Sequence, residues 1–188
     1  MKSSLVRIRH ARSKKDFPFL SLEEGEYVEL AITRSKAGLV MIWASIILAI
    51  VLLGIVGANL IGHISRTNEI SSQSMGYFWL LLGVLFTFFI LLGLGVSKVY
   101  NDNKLFVTNK RLFHYDVQSL FSKSVNIVDL SRIEDVSFKQ KNIIDHILSF
   151  GTIRMSTVGD ETTYTFPYVD TPTDEIEIIA HLIKQLKK

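Results

Sequence analysis

Two uninterrupted apolar runs constrain the fold of this chain more than any other feature. They occupy residues 38–61 and 77–97, and neither contains Asp, Glu, Lys, Arg or His. As helices they would extend about 31–36 Å, and the hydrocarbon core of a bilayer is about 30 Å thick. Buried helices of a soluble bundle normally carry a polar stripe at 3.6-residue spacing, which both runs lack. The sequence therefore predicts a transmembrane α-helical hairpin over residues 38–99, with an outer loop at 62–76.

The distribution of Lys and Arg predicts the orientation of this hairpin. Eight basic residues lie within residues 1–37 and several follow the second run, whereas Arg66 is the only one in the outer loop. Because basic residues accumulate on the cytoplasmic side, we expect a multi-pass protein of the inner (plasma) membrane with both termini cytoplasmic. Trp43, Tyr77 and Trp79 are candidate interfacial anchors, with ordinary lipid-facing packing as the alternative.

The two runs favour an anchor over an ion or proton pathway, because Asp, Glu, Lys, Arg and His mark such pathways and these runs have none. Small residues four apart, at Ser45 and Ala49 and at Gly54 and Ala58, would let helices approach closely. That pattern is compatible with packing of the two spans against each other and with dimerisation of two chains.

Residues 100–188 alternate in the manner of β-strands, which indicates a separate cytoplasmic domain. Asn109–Lys110 and Gly159–Asp160 favour hairpin turns, and the phase of Ile133 predicts either a bulge or a strand start near Glu134. In the last strand Tyr164, Phe166 and Tyr168 share a predicted buried face, and Pro167 indicates an edge strand. The six predicted strands are residues 104–108, 111–117, 122–130, 133–140, 151–158 and 161–168.

Two helices complete the predicted domain. Asn142 and Asp145 are typical of the start of a short helix, and Thr171–Pro172 of the start of a last helix that continues to Lys187. We expect the last helix to cover a face or an open end of the sheet. The short helix is expected to pack on the domain, or alternatively to enter the membrane interface as an amphipathic wedge, through Ile143, Ile144, Ile147 and Leu148.

Two segments precede the first span. Residues 1–21 are interpreted as a basic cytoplasmic tail that needs no fixed structure to attract anionic lipid, and residues 22–37 as a juxtamembrane segment. Within the second segment, apolar and polar residues alternate over Tyr27–Thr33. This stretch is either a seventh strand that pairs with the later sheet or a helical extension of the first span.

Four short motifs carry a resemblance to a known family. They are VTNKRL (Val107–Leu112), LSRIEDV (Leu130–Val136), LSFGTIR (Leu148–Arg154) and the PTDE start of the last helix. Roughly residues 100–186 resemble the bacterial pleckstrin-homology-like domain that is commonly fused to transmembrane helices. The resemblance implies a mainly β, α+β fold, a partly open β-barrel of six to seven strands capped by a C-terminal helix. It implies no established activity.

We find no catalytic constellation in the sequence. The chain has no cysteine, its five histidines are scattered, and the pair His114 and Asp116 on one strand is more typical of a surface hydrogen bond. We therefore expect no catalytic residues, no metal site and no cofactor. The net charge of only +3 makes a nucleic-acid partner an unfavourable interpretation.

Basic residues at strand ends and turns are the better candidates for a site. Residues 98–188 balance twelve basic against twelve acidic residues, so ordinary solvated turns are the alternative. Each Lys or Arg near an anionic leaflet is attracted by about 1 kcal/mol. The candidate headgroup or leaflet contacts are Lys104, Lys110, Arg111, Lys139 and Lys141.

The favoured function is a membrane-anchored, non-enzymatic module that binds protein or acts as a scaffold at the inner membrane surface. Its expected partners are the lipid bilayer and either a second copy of the chain or another membrane protein, recognised through an open sheet edge. The alternative is sensing of anionic lipid headgroups by the basic turns, and a third is a small subunit of a transport or secretion complex.

Overall fold

A computed structural model describes residues 2–67, 72–157, 163–170 and 173–186. The chain forms two compact units, one of Lys36–Tyr100 and the other of Met1–Ser35 together with Asn101–Lys188. In chain order the elements are α1 (Lys2–Asp16), β1 (Val28–Thr33), α2 (Lys36–Thr67), α3 (Ser72–Asp102), β2 (Lys104–Thr108), β3 (Arg111–Val117), β4 (Lys123–Asp129), a 3-10 turn (Leu130–Arg132), β5 (Ile133–Lys139), α4 (Ile143–Ile147), β6 (Phe150–Thr157), β7 (Thr163–Asp170) and α5 (Thr173–Leu186).

The helical unit consists of α2 and α3, which contain the two predicted apolar runs. Each helix has a stretch of 28 residues long and apolar enough to cross a membrane, Lys36–His63 and Met75–Asp102. The helices touch where glycine allows close approach, because a Cβ at Gly93 would lie 2.7 Å from Ile46 Cδ1. A Cβ at Gly54 would meet no atom within 4 Å. Gly54, one of the small residues singled out from the sequence, is therefore not part of this contact.

The other unit contains two antiparallel sheets. Sheet A has the strand order β1-β2-β3-β4, and sheet B has the order β5-β6-β7. The strands after the helices are confirmed with end shifts of one or two residues, and the predicted bulge is present between Ile133 and Asp135. Among the described strands no ladder joins the two sheets. The implied barrel is therefore an open pair of sheets rather than a closed one.

The seventh strand predicted before the apolar runs is present as β1. It pairs antiparallel with β2, and Thr33 lies opposite Lys104. Residues 36–102, which include both long helices, are therefore inserted between two neighbouring strands of one sheet. Because the chain leaves sheet A and returns to it at adjacent positions, residues on both sides of the insertion are needed to complete the sheet.

The core lies between the two sheets and α5. Inward-facing residues of both sheets meet Ile179 and Ile183 of α5, which packs against β5 and the 3-10 turn. The last helix thus covers part of the core, as predicted. Its predicted start at Thr171–Pro172 and the Gly159–Asp160 turn lie outside the described residues. The fully buried large side chains of this core are Leu105, Leu112, Leu130, Ile133, Ile153, Met155, Phe166 and Ile179.

The N-terminal segment covers the outer face of sheet A. Residues 2–16 of the predicted basic tail form the helix α1. After α1, Phe17 and Leu20 pack on the outward-facing Phe106 and Phe113 of β2 and β3. Ser13 Oγ also accepts a hydrogen bond of 3.0 Å from the Val28 backbone N–H. Both faces of β2 and β3 are consequently buried, because the segment before β1 folds back over the sheet.

The last strand, β7, departs from its predicted alternation. Phe166 is buried and Tyr164 is partly buried against the core, but Tyr168 is exposed and Val169 takes the inward position. Tyr168 has φ of 62°, and the register against β6 shifts between Gly151 and Thr152. This irregularity inverts the faces that follow it. β7 is an edge strand, as Pro167 indicated.

The short helix α4 is present and capped as predicted, but it does not pack on the domain. The Asp145 carboxylate accepts hydrogen bonds from the backbone N–H groups of Asn142, at 3.2 Å, and Lys141, at 2.9 Å. No residue of α4 is buried. The expected packing is therefore wrong for Ile143, Ile144 and Ile147, which are exposed apolar side chains, whereas Leu148 is only 36% exposed.

Candidate functional site

The turn between β2 and β3 holds two of the predicted basic contacts, Lys110 and Arg111. Lys110 Nζ lies 3.4 Å from Glu23 Oε2, and both side chains are largely exposed. Arg111 is mostly buried and places its guanidinium 2.5 Å from an oxygen of Glu26, whose side chain is fully buried. The structure therefore joins both basic residues to glutamates of the N-terminal segment.

The local sequence explains how Glu26 reaches this position. Glu23, Glu24, Gly25 and Glu26 form a turn in which the Glu26 N–H donates to the Glu23 carbonyl at 3.0 Å. Gly25 has φ of +72°, which glycine adopts without the steric cost of a side chain. Asn109 then binds the backbone N–H of Tyr27 through Oδ1 at 3.0 Å. The two turns are thus held together by backbone and side-chain hydrogen bonds.

Hydrogen bonding keeps the buried carboxylate of Glu26 ionised. Burial by itself would raise its pKa, but bonds from Arg111, from the Glu23 backbone N–H and from the Thr108 hydroxyl outweigh burial and hold the pKa below its ordinary value. The Thr108 hydroxyl lies 2.7 Å from Glu26 Oε1. This network attaches the N-terminal segment to sheet A. It also pairs the Arg111 charge with the Glu26 carboxylate of the same chain.

The pairing register divides the predicted basic residues between two ends of the domain. We define the junction end as the end of the two-sheet domain where the chain passes to α2 after Thr33 and returns from α3 before Lys104. Val117 and Lys123 lie opposite each other at this end of sheet A. The turn that holds Lys110 and Arg111 lies at the opposite, far end. We therefore place Lys110 and Arg111 outside any contact made by the junction end.

Sheet B has its own residues at the junction end. The Ser35 backbone N–H, at the last residue before α2, donates to the Tyr168 carbonyl of β7. Tyr168 lies beside Phe150 of β6, and the Phe150 carbonyl accepts from Gln140 Nε2 at 3.1 Å. α4 and the exposed Lys139 and Lys141 adjoin this end of sheet B. Lys104, Lys139 and Lys141 therefore share the junction end, whereas the other two predicted contacts do not.

The return point of the chain is fixed by a buried side chain, Asn103. Its side-chain amide donates to the Val117 carbonyl at 2.9 Å, and its Oδ1 accepts from the Val117 N–H at 3.1 Å. The amide therefore extends the ladder of β3 by one pair beyond the end of β2. Together with the Ser35 hydrogen bond, it fixes both chain passages to the strand ends.

The three most exposed large apolar side chains in the described part of the two-sheet unit lie at the junction end. In the loop between β3 and β4, Leu120 is exposed and Phe121 is 99% exposed. In α4, Ile143 is 79% exposed and Ile147 is 74% exposed. Lone exposed apolar residues are normal on protein surfaces, but two groups at one end of a domain are not. The sequence reasoning named the α4 residues and missed Phe121, whose only signal was an aromatic within a short polar loop.

The remaining predicted residues lie in other environments. Tyr77 and Trp79 are exposed on α3, and Trp43 is partly buried near Gly93.

His114 is buried and packs edge-on against Phe166, and its Nδ1 has no partner in the described part of the chain. Burial lowers the pKa of His114, with Asp116 raising it and Arg34 lowering it. The Asp116 carboxylate instead accepts from Gln118, so the expected surface pair with His114 is wrong.

One groove of about 590 Å³ lies beside α5. Glu29, Glu177, His181 and Gln185 supply its polar lining. Across residues 2–67, 72–157, 163–170 and 173–186, no three His, Asp or Glu side chains come together as a metal site would require.

Comparisons with known proteins agree with this fold. A family model described as bacterial PH domain matches residues 19–186. The match begins in the N-terminal segment and so includes β1 and the inserted helices, whereas the motifs in the sequence indicated residues 100–186. A search of the curated proteins finds no match.

A solved structure is also similar to part of the chain. It is a DUF1696 family protein with a pleckstrin-homology domain from Shewanella loihica PV-4. The two are 18% identical, the alignment covers 46% of this chain and 71% of that one, and the TM-score is 0.34.

The network around Glu26 leads to a prediction for stability. We expect Glu26→Gln to lower the free energy of unfolding by about 2–4 kcal/mol at neutral pH, because it leaves the Arg111 charge without its buried partner. The measurement is thermal unfolding of the purified full-length protein in detergent. Glu23→Gln is the matched control, because the Glu23 side chain is 57% exposed and its pairs with Lys110 and Arg111 are solvated on the Glu23 side. We expect its effect to be smaller, about 1 kcal/mol or less.

The pH dependence provides a second readout of the same variant. Because the folded pKa of Glu26 is lowered, its stabilisation is fully present above the ordinary value of 4.5 and is lost as the pH falls through the folded pKa. Part of the acid destabilisation in this range should therefore be absent from Glu26→Gln. His114 contributes separately, from below its ordinary value of 6.5, in both proteins. Equal acid destabilisation of variant and wild type would contradict this role of Glu26.

Proposed function

The chain belongs to the bacterial PH domain family, and on that premise we propose that it is a membrane-anchored, non-enzymatic interaction module. In this proposal α2 and α3 span the inner membrane, and the two-sheet domain binds a partner at the cytoplasmic surface. The observation that carries the proposal is the insertion of the long apolar helices between the paired strands β1 and β2.

The surface of the helices supports a lipid environment. Only 6% of the most apolar window of each helix is buried within the chain. The core helix of a soluble protein would be mostly buried, whereas these helices leave residues such as Leu80 and Leu91 more than half exposed. Exposed apolar surface on this scale requires a cover, and lipid is the cover that suits helices of this length.

The pairing of β1 with β2 supports the orientation. Residues before and after the helices form one sheet, so both must be on the same side of the membrane. Two crossings satisfy this requirement and one does not. Together with the basic residues of the N-terminal segment, this favours cytoplasmic placement of both flanking segments.

The strand edge of β4 is the surface that we assign to partner binding. β4 is an edge strand of sheet A, and its Val125 and Ile127 are exposed beside the part of the face that the N-terminal segment covers. An exposed strand edge can accept a further strand through backbone hydrogen bonds. At the Pro167 edge, by contrast, the Tyr168 carbonyl is already bound by Ser35. A second copy of the chain is the partner that we expect at β4.

Contact with anionic lipid is the second candidate function. It is favoured by the position of Lys104, Lys139 and Lys141 at the junction end. Acidic residues such as Asp102 and Asp170 also lie near this end, so we expect modest, salt-sensitive attraction rather than selection of one headgroup.

Membrane anchoring is tested with single cysteines, because the chain has none of its own. In intact cells, a membrane-impermeant maleimide should label Gly62→Cys near the outer end of α2. It should label Ser131→Cys in the domain only after permeabilisation. Release of the protein by alkaline carbonate, or labelling of Ser131→Cys in intact cells, would contradict the proposed topology.

Partner binding is tested with a photo-reactive amino acid in place of Ile127. If β4 binds a second copy, irradiation of membranes should give a product with the mass of two chains. The matched control is the same probe at Ser131, which is exposed in the 3-10 turn after β4. Absence of any adduct at Ile127 would contradict β4 as the binding edge, and an adduct of another mass would contradict self-association.

Lipid contact is tested by lysine reactivity in proteoliposomes. Acylation of Lys104, Lys139 and Lys141, followed by mass spectrometry, should be slower in anionic than in zwitterionic vesicles. High salt should restore the rate, because the attraction is electrostatic. Lys110 at the far end is the internal control and should react equally in both. If Lys104, Lys139 and Lys141 each react at the same rate in anionic and zwitterionic vesicles, as Lys110 is expected to do, this second function is excluded.

A further inference from the structure

We propose that the junction end of the domain inserts into the interfacial layer of the bilayer, through Phe121 and Leu120 of the β3–β4 loop and the apolar surface of α4. This inference rests on the proposed function, because it requires that α2 and α3 span the membrane. It goes beyond anchoring by assigning a second, peripheral contact with lipid to named side chains of the domain.

Chain connectivity limits how far the junction end can lie from the spans. Only Arg34 and Ser35 separate β1 from α2, and only Asn103 separates α3 from β2. The longer of these links, from Thr33 to Lys36, has three Cα–Cα steps and extends at most about 11 Å. The headgroup region on each side of the hydrocarbon is about 5–8 Å thick. The apolar runs begin two residues after the start of α2 and end five residues before the end of α3, which adds about 3–8 Å of helix. These short connections allow the strand ends to lie at the interface.

Hydrogen bonds hold the strand ends that adjoin both apolar groups. The loop with Leu120 and Phe121 follows Val117, whose backbone is bound by Asn103 at the return point. α4 adjoins Phe150, which lies beside Tyr168, and the Tyr168 carbonyl is bound by Ser35 at the departure point. The two apolar groups are therefore held at the two points where the chain passes to and from the helices.

The chemistry of these groups suits lipid better than a protein partner. The Phe121 side chain is 99% exposed in its loop. The apolar residues of α4 lie on a helix of five residues that Lys139 and Lys141 precede in the chain. Interfacial segments combine such aromatic and aliphatic side chains with nearby lysines, which reach anionic headgroups. A protein partner would more commonly meet one continuous face than two separate protrusions.

The test uses full-length single-cysteine variants that carry an environment-sensitive fluorophore. The protein is reconstituted into vesicles of phosphatidylethanolamine and phosphatidylglycerol. We expect the fluorescence emission of labels at Phe121→Cys and Ile147→Cys to be blue-shifted relative to a label at Ser131→Cys. We also expect lipid-borne nitroxide to quench that emission severalfold more than at Ser131→Cys. A label at Val84→Cys, within α3, reports whether the helices themselves are in lipid.

The outcomes separate this inference from the proposed function. If position 84 is quenched by lipid but positions 121 and 147 respond to acrylamide as position 131 does, the inference is wrong and the anchor stands. If position 84 is not quenched, the anchor fails and the inference fails with it. Labels at 121 and 147 that are shielded from both quenchers would indicate cover by protein, which also overturns the inference.

A charge substitution provides an independent readout. Ile143→Glu should reduce the lipid quenching of a label at position 147, because it places a carboxylate in the inserted surface. Ile8→Glu is the matched control, since Ile8 is an exposed isoleucine of α1, whose neighbours Arg9 and His10 contact Glu29 and Glu26 away from the junction end, and it should leave that quenching unchanged. Equal quenching in the two variants would contradict insertion of α4.

Discussion

The pairing of β1 with β2 across the inserted helices is the constraint on which the rest of the structure depends. β1 supplies Ile32 to the core and closes one side of sheet A. Its partner β2 follows 70 residues later in register, with Thr33 opposite Lys104. Loop-closure entropy grows only slowly with length, and a helical hairpin brings its own ends together. The insertion therefore does not prevent the sheet from forming. It does mean that a fragment that begins after the hairpin lacks β1 and cannot form the complete sheet A.

This constraint changes the interpretation of the basic residues. From the sequence alone, the turn at Asn109–Lys110 was the first turn of the domain and Arg111 was a candidate lipid contact. With β1 in place, that turn lies at the end of sheet A away from the chain passages, and Arg111 lies 2.5 Å from the buried Glu26. The basic residues of this turn therefore form ion pairs that attach the N-terminal segment, whereas at the junction end Lys139 and Lys141 are exposed and Lys104 is partly buried.

Local patterns predicted the strands because alternation and turn residues are properties of short stretches. The cap of α4 and the bulge near Glu134 were predicted for the same reason. The cover over the outer face of sheet A was not, because it depends on contacts between Phe17 or Leu20 and strands about ninety residues away. A signal was present: apolar residues occupy both faces of β2, as Leu105 and Val107 on one side and Phe106 on the other. A strand with two apolar faces requires two covers.

The predictions for β7 and α4 were wrong for two other reasons: a local break in the backbone at β7, and, at α4, the fact that periodicity does not say what covers an apolar side chain. At β7, the positive φ of Tyr168 inverts the alternation and exposes a ring that the pattern placed inside. At α4, the pattern gave the apolar face correctly but not its environment.

A helix of five residues is too short to be stable from propensity alone. In this structure its stability comes from polar contacts, namely the Asp145 carboxylate on the N–H groups of Lys141 and Asn142, and Gln140 on the carbonyls of Asp145 and Phe150. Such contacts hold α4 in place without burying its apolar surface. That arrangement is expected where the apolar surface is needed outside the domain, and unexpected where it serves the core.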